Sequence, residues 1–159
     1  MKKYVLALGL LFIVGQTAMA QNFDKIFDEL KQKEGVEFKS MDKKDLQASM
    51  KDVTEEWPIP SFMNRVEKVD AIVSQETDEE TQEKIVSGVN ELKSRKNHEL
   101  ITFVKTGETK VSIIGKKKKK DFSNLYIIVS LGEMFVIVKM DGKFKEADMD
   151  NIMGSINVN

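Results

Sequence analysis

Residue types that do chemistry are sparse in this chain of 159 residues. There is no cysteine, which excludes disulfides, thiolate metal sites and cysteine nucleophiles. His98 is the single histidine. No histidine cluster can therefore hold a metal, and a triad would have to use this one ring. It falls among charged residues where a helix gives way to a strand, which predicts an exposed or capping side chain rather than a general base. Acids cluster at Glu55-Glu56, at Asp78-Glu79-Glu80 and at Asp148 with Asp150. None has calcium-loop spacing with its central glycine, and helix N-termini attract acids without any ligand. Hydrolysis by paired carboxylates needs two acids to meet in space, which spacing along the chain neither requires nor forbids. The sequence thus assigns no catalytic residue, no metal ligand and no cofactor.

Two features carry a binding reading. Lys116, Lys117, Lys118, Lys119 and Lys120 run consecutively between two strands. The plainer reading is a solvated loop whose charge discourages edge pairing. The sharper one is a footprint for an anionic envelope lipid or glycan, since each lysine at such a surface contributes about 1 kcal/mol. The second feature is Tyr126, Ile128, Phe135 and Ile137, which share one face of a hairpin. They are core beneath helices or a further strand, a homodimer surface, or the wall of an apolar ligand groove.

That hairpin is the clearest element. Leu125–Leu131 and Met134–Met140 are β-rich runs joined by Gly132-Glu133, and glycine first in a two-residue loop predicts a type II′ turn. The loop fixes register, pairing Leu131 with Met134, Val129 with Val136, Ile127 with Val138 and Leu125 with Met140. On the other face Ser130 meets Phe135, Ile128 meets Ile137 and Tyr126 meets Lys139. Both faces are apolar enough to need cover. Upstream, Glu99–Lys105 and Lys110–Ile114 flank Gly107-Glu108 in the same manner. This pairs Val104 with Val111 and Ile101 with Ile114, but sets Lys105 opposite Lys110, a like-charge pair costing roughly a few tenths of a kcal/mol; a longer loop with another register is the other reading.

The remaining elements must position these strands. Phe23, Ile26, Phe27 and Leu30 mark a helix over 22–34, capped by Asn22 and ended by Gly35. Val36–Ser40 is a strand, and Asp42 opens a second helix to about Lys51. Trp57-Pro58-Ile59-Pro60 is an extended connector whose tryptophan packs on the domain. Arg65–Ser74 is most simply a strand, with a short helix as the alternative that the pattern leaves open. Thr77-Asp78-Glu79-Glu80 reads as a capping box for a helix to about Lys96, with Ile85, Val86, Val89 and Leu92 inward and Gly88 weakening its middle. Met149, Ile152, Met153 and Ile156 mark a last helix. The fold class is α+β: a largely antiparallel sheet containing a C-terminal four-stranded meander, with helices packed mainly on one face.

Residues 1–20 read as a cleaved signal peptide, with Lys2 and Lys3 before an apolar Val5–Val14 run and Ala18-Met19-Ala20 at the cleavage site. The apolar run is shorter than the roughly 20 residues of a spanning helix. The expectation is therefore export to the periplasm or beyond, as one domain over 21–159 with no transmembrane segment in the mature chain. Lacking cysteine, it is not a lipoprotein. Without Lys2 and Lys3, 23 basic residues face 26 acidic ones, which does not suggest a nucleic-acid partner.

Val66-Glu67-Lys68-Val69-Asp70-Ala71-Ile72, the polar helix after it, His98-Glu99-Leu100-Ile101-Thr102-Phe103, the apolar hairpin, and Lys139-Met140-Asp141-Gly142 before an Asp-rich helix together carry a likeness. In these the chain resembles the small exported or lipid-anchored proteins of Gram-negative envelopes grouped as domain of unknown function 4252. The acylated cysteine that many of them carry is missing here. The resemblance implies no activity and transfers no site residue. The function expected is that of a non-enzymatic exported envelope protein acting by binding; the alternative is a carboxylate-based hydrolase of envelope or extracellular polymers.

Overall fold

Two glycine turns set the sheet. Gly107 has φ 60° and Gly132 φ 57°, while Glu108 and Glu133 are not in the left-handed region, as a type II′ turn requires. The computed structural model describes residues 22–51 and 61–155; the leader at 1–20 and the connector at 57–60 lie outside them. Six strands form one antiparallel sheet: β1 (Val36–Asp42), β2 (Val66–Ser74), β3 (His98–Thr106), β4 (Thr109–Lys118), β5 (Asp121–Leu131) and β6 (Met134–Phe144). Their order is β1-β2-β6-β5-β4-β3, so the meander β3–β6 folds back to seat its last strand against β2.

Every β5–β6 pair expected from the two-residue loop is present. In the β3–β4 hairpin Val104 faces Val111 and Lys105 faces Lys110, but Ile114 is opposite Leu100 and not Ile101. A bulge between Leu100 and Thr102 absorbs one residue and shifts the register beyond it. The lysine run is mostly strand rather than loop. Lys116, Lys117 and Lys118 finish β4, leaving only Lys119-Lys120 to turn, with Lys118 paired to Asp121.

Two helices share one face of the sheet. They are α1 (Phe23–Lys31), whose first turn Asn22 caps by accepting from the Lys25 amide at 3.2 Å, and α3 (Glu79–Ser94). The cap of α3 is Asp78 and not Thr77: its carboxylate accepts from the Thr81 amide at 2.7 Å. A charged acceptor there also meets the positive end of the helix dipole. Beneath the two helices lie Ile72, Ile114, Tyr126, Ile128, Phe135 and Ile137. Gly88 is buried where α1 crosses, with Ile26 Cδ1 2.9 Å from where its Cβ would stand; the glycine that weakens the helix lets a second one approach. Val86 is not inward. Ile85 and Leu92 take the core positions, and Val86, about 100° further round, is left exposed.

The opposite face is covered at one end by α2 (Lys43–Lys51), a 3₁₀ turn (Ser61–Arg65) and α4 (Glu146–Ser155). There Leu46, Phe62, Met149 and Ile152 pack with Leu125, Met140 and Phe144. Among the described residues no helix is long and apolar enough to cross a membrane.

Candidate ligand groove between α3 and the meander

Tyr126, Ile128, Phe135 and Ile137 are 5%, 4%, 3% and 1% exposed, respectively. The open groove or homodimer surface considered for them is therefore filled by the chain's own α1 and α3, and they form no free surface. What stays open is the strip beside them, where α3 ends its cover over the sheet and β4 and β3 continue outward.

Two register rows make the floor of this strip. Phe103, Ser112 and Ile128 lie side by side in one, and Lys105, Lys110 and Ser130 in the next. Val86, Val89 and Lys93, spaced i, i+3, i+7 along α3, form the helical wall. The volume of this open groove is about 420 Å³. Inside it Phe103 is 56% exposed and Val86 58%, although each is large and apolar. Lys93, Lys105 and Lys110 form no ion pair with a described residue. The groove thus sets the apolar side chains of Val86, Val89 and Phe103 beside three lysines, with Asn90, Ser112 and Ser130 as its neutral polar lining.

At the hairpin end it joins a smaller hollow of about 130 Å³, which shares Ile85, Val86, Lys110 and Ser130 with it. Thr77 borders this hollow. It is only 8% exposed, and its hydroxyl has no hydrogen-bond partner among the described residues. Gln82 Nε2 donates to the Thr77 carbonyl at 3.1 Å and holds this corner in place. Glu108 and Glu133 also border the hollow, from the exposed tips of the two hairpin turns. A larger depression of about 690 Å³ has its described walls from α3 alone.

The residues singled out for chemistry do not converge. The His98 ring is half-buried, not exposed: its centroid lies 6.1 Å from that of Tyr126, Nδ1 is 3.2 Å from the Lys96 carbonyl, and Nε2 is shielded without a partner among the described residues. Ser40 donates to Asp70 at 2.5 Å, but this pair sits on β1 and β2. His98 is on β3 at the far edge, five strand spacings from β1 or about 24 Å. Asp78 is occupied as a helix cap, held down to about 2 by the Thr81 hydroxyl and amide with help from Lys33. Asp148 is buried, bonded to Arg65 and to the Lys145 amide at 2.7 Å. Burial pushes its carboxyl up, yet Arg65 and that amide prevail and hold it below the usual carboxylate value. No group of three metal-ligating side chains occurs among the described residues.

Lys116–Lys120 are all exposed, and Lys117 pairs with Glu99 at 3.2 Å. Lys118 lies eight residues along β4 from Lys110, about 27 Å, so the lysine turn and the groove are separate features. One signal of the groove is visible in the sequence, the lysine pair Lys105 and Lys110; the contribution of Val86 and Phe103 depends on where α3 crosses the sheet.

A family model described as domain of unknown function (DUF4252) matches residues 16–152. No curated protein and no solved structure matches the chain.

Proposed function

The chain belongs to the DUF4252 family, and from that premise we propose that it is a non-enzymatic, exported envelope protein that binds a ligand in the groove between α3 and the meander. One observation carries this reading: Phe103 and Val86, each more than half exposed, face a strip whose lysines form no ion pair among the described residues. Hydrophobic side chains left open beside unpaired charge are what a binding surface needs and what a closed core avoids. The leader-like segment at 1–20 supports export.

The hydrolase alternative rests on Glu108 and Glu133, the acids that border one hollow. Both sit on exposed turn tips, whereas a general acid works best in a desolvated pocket that favours its protonated form. The lysine turn is a second cationic feature suited to an anionic lipid or glycan surface, and its contribution would fall with salt.

Native mass spectrometry of the protein purified from its own envelope tests the groove. A retained adduct that disappears in Phe103→Ser is expected; a clean apo spectrum for the wild-type chain would count decisively against stable binding there.

A further inference from the structure

We infer that the groove takes a single-chain anionic amphiphile, a fatty acid, with its carboxylate at Lys105 and Lys110 and its chain laid over Phe103, Val89 and Val86. This rests on the groove being the binding site and names the chemistry it selects.

Three observations converge on that class. First, Lys105 and Lys110 stand directly opposite one another across the hairpin, an arrangement that costs free energy in the free protein and is relieved by one anion shared between them. Neither has an ion-pair partner among the described residues, and Ser130, next in the same row, adds a hydroxyl donor. Second, Phe103 in the adjoining row and Val86 and Val89 on the helical wall are apolar, so the anion that suits the groove is one attached to hydrocarbon. A free phosphate or a glycan would leave Phe103 and Val86 uncovered. Third, the volume of about 420 Å³ is near the low end of ligand pockets, which suits one chain and not the two of a phospholipid. The orphan hydroxyl of Thr77, in the hollow beyond Lys110, lies at the same end as the proposed carboxylate. Glu108 and Glu133 at that end limit how far an anion can advance, which places the head at the lysine pair.

The test is titration of the ¹⁵N-labelled protein with decanoate below its micellar concentration, beside decanol as the uncharged match. Decanoate is expected to shift the amides of Val86, Phe103, Lys105, Lys110 and Ser130 saturably and to bind about tenfold tighter than decanol. Replacing both lysines, Lys105→Gln with Lys110→Gln, should bring decanoate down to the decanol level while leaving decanol unchanged. Phe103→Ser should weaken both. All three side chains are exposed, so the variants are expected to fold, and an unchanged spectrum away from the groove verifies that.

Equal affinity for the two probes, or shifts centred elsewhere, overturns the assignment. An envelope-derived adduct that is lost in Phe103→Ser but proves to be an acidic peptide or a neutral lipid overturns the fatty acid while leaving the groove as the site. Absence of both an adduct and decanoate shifts overturns the groove as well.

Discussion

The Glu91 carboxylate, on α3, accepts the backbone amide of Phe23 at 2.9 Å across 68 residues of sequence. It satisfies a first-turn donor of α1 that has no partner within its own helix. Arg95 Nε and Nη2 donate to the same carboxylate at 2.7 and 2.9 Å, and Arg95 Nη1 reaches Asp24 of α1 at 3.0 Å. At the other end Lys33 pairs with Asp78, the α3 cap, at 3.1 Å. The two helices over the sheet are therefore tied at both ends, and this fixes where α3 stops and the groove begins.

Glu91→Ala should destabilise the protein in a pH-dependent way. Burial pushes the Glu91 carboxyl up, but the Arg95 hydrogen bonds and the Phe23 amide outweigh it, so the net shift is downward. A depressed carboxyl contributes stability fully above its unfolded value, about 4.3, and loses it as pH falls through the folded value. Urea unfolding at pH 7 is expected to show a deficit of about 2 kcal/mol that closes on acidification. A deficit of the same size at pH 3 would mean that packing, and not the ionised carboxylate, accounts for it.

What was legible in the sequence was what short-range chemistry decides. Gly132-Glu133 and the alternation around it specify every pair from Leu125 to Met140 because a two-residue loop leaves no other register. The lysine pair Lys105–Lys110 was one of two registers open to its hairpin, the other needing a longer loop; the structure has it, and both lysines line the groove. Three things were not legible. The bulge near Ile101 depends on how that side chain packs after the sheet forms. Thr77 and Asp78 are both good caps, and only the entry of the chain into α3 selects Asp78. The exposure of Val86 beside Phe103 depends on the path of α3 over the sheet, which its own periodicity does not contain.

Lys119→Gly should stabilise the β4–β5 turn. Lys119 has φ 59°, the left-handed region, where a Cβ costs roughly 1 kcal/mol or more. Glycine removes that cost and gives back part of it in unfolded-chain entropy, leaving an expected gain of about 0.5–1 kcal/mol in chemical denaturation. Lys120→Gly, where φ is not positive, lacks the gain and keeps the entropic loss. A stability order with Lys120→Gly above Lys119→Gly would contradict the account of the turn.

Gly142→Ala and Gly88→Ala separate two kinds of close approach. A Cβ at Gly142 would overlap the Arg65 carbonyl oxygen and stand 3.1 Å from Val66 Cα, so it meets backbone only. That backbone cannot yield easily. Arg65 is bonded to the Lys143 carbonyl at 3.1 Å and to the buried Asp148, and Val66 begins the pairing of β2 with β6 opposite Gly142 itself. A Cβ at Gly88 meets chiefly Ile26 Cδ1 at 2.9 Å, the far end of a side chain that can rotate away. Alanine there also recovers about 1 kcal/mol of helix propensity, which offsets overpacking of similar size. Gly142→Ala is therefore expected to cost about 3 kcal/mol, and Gly88→Ala to remain within about 1 kcal/mol of wild type. Urea midpoints measured at a common slope decide the matter. Comparable losses at the two sites would show that the β2–β6 junction gives as readily as the helix contact, and the rigidity assigned to Arg65 would have to be abandoned.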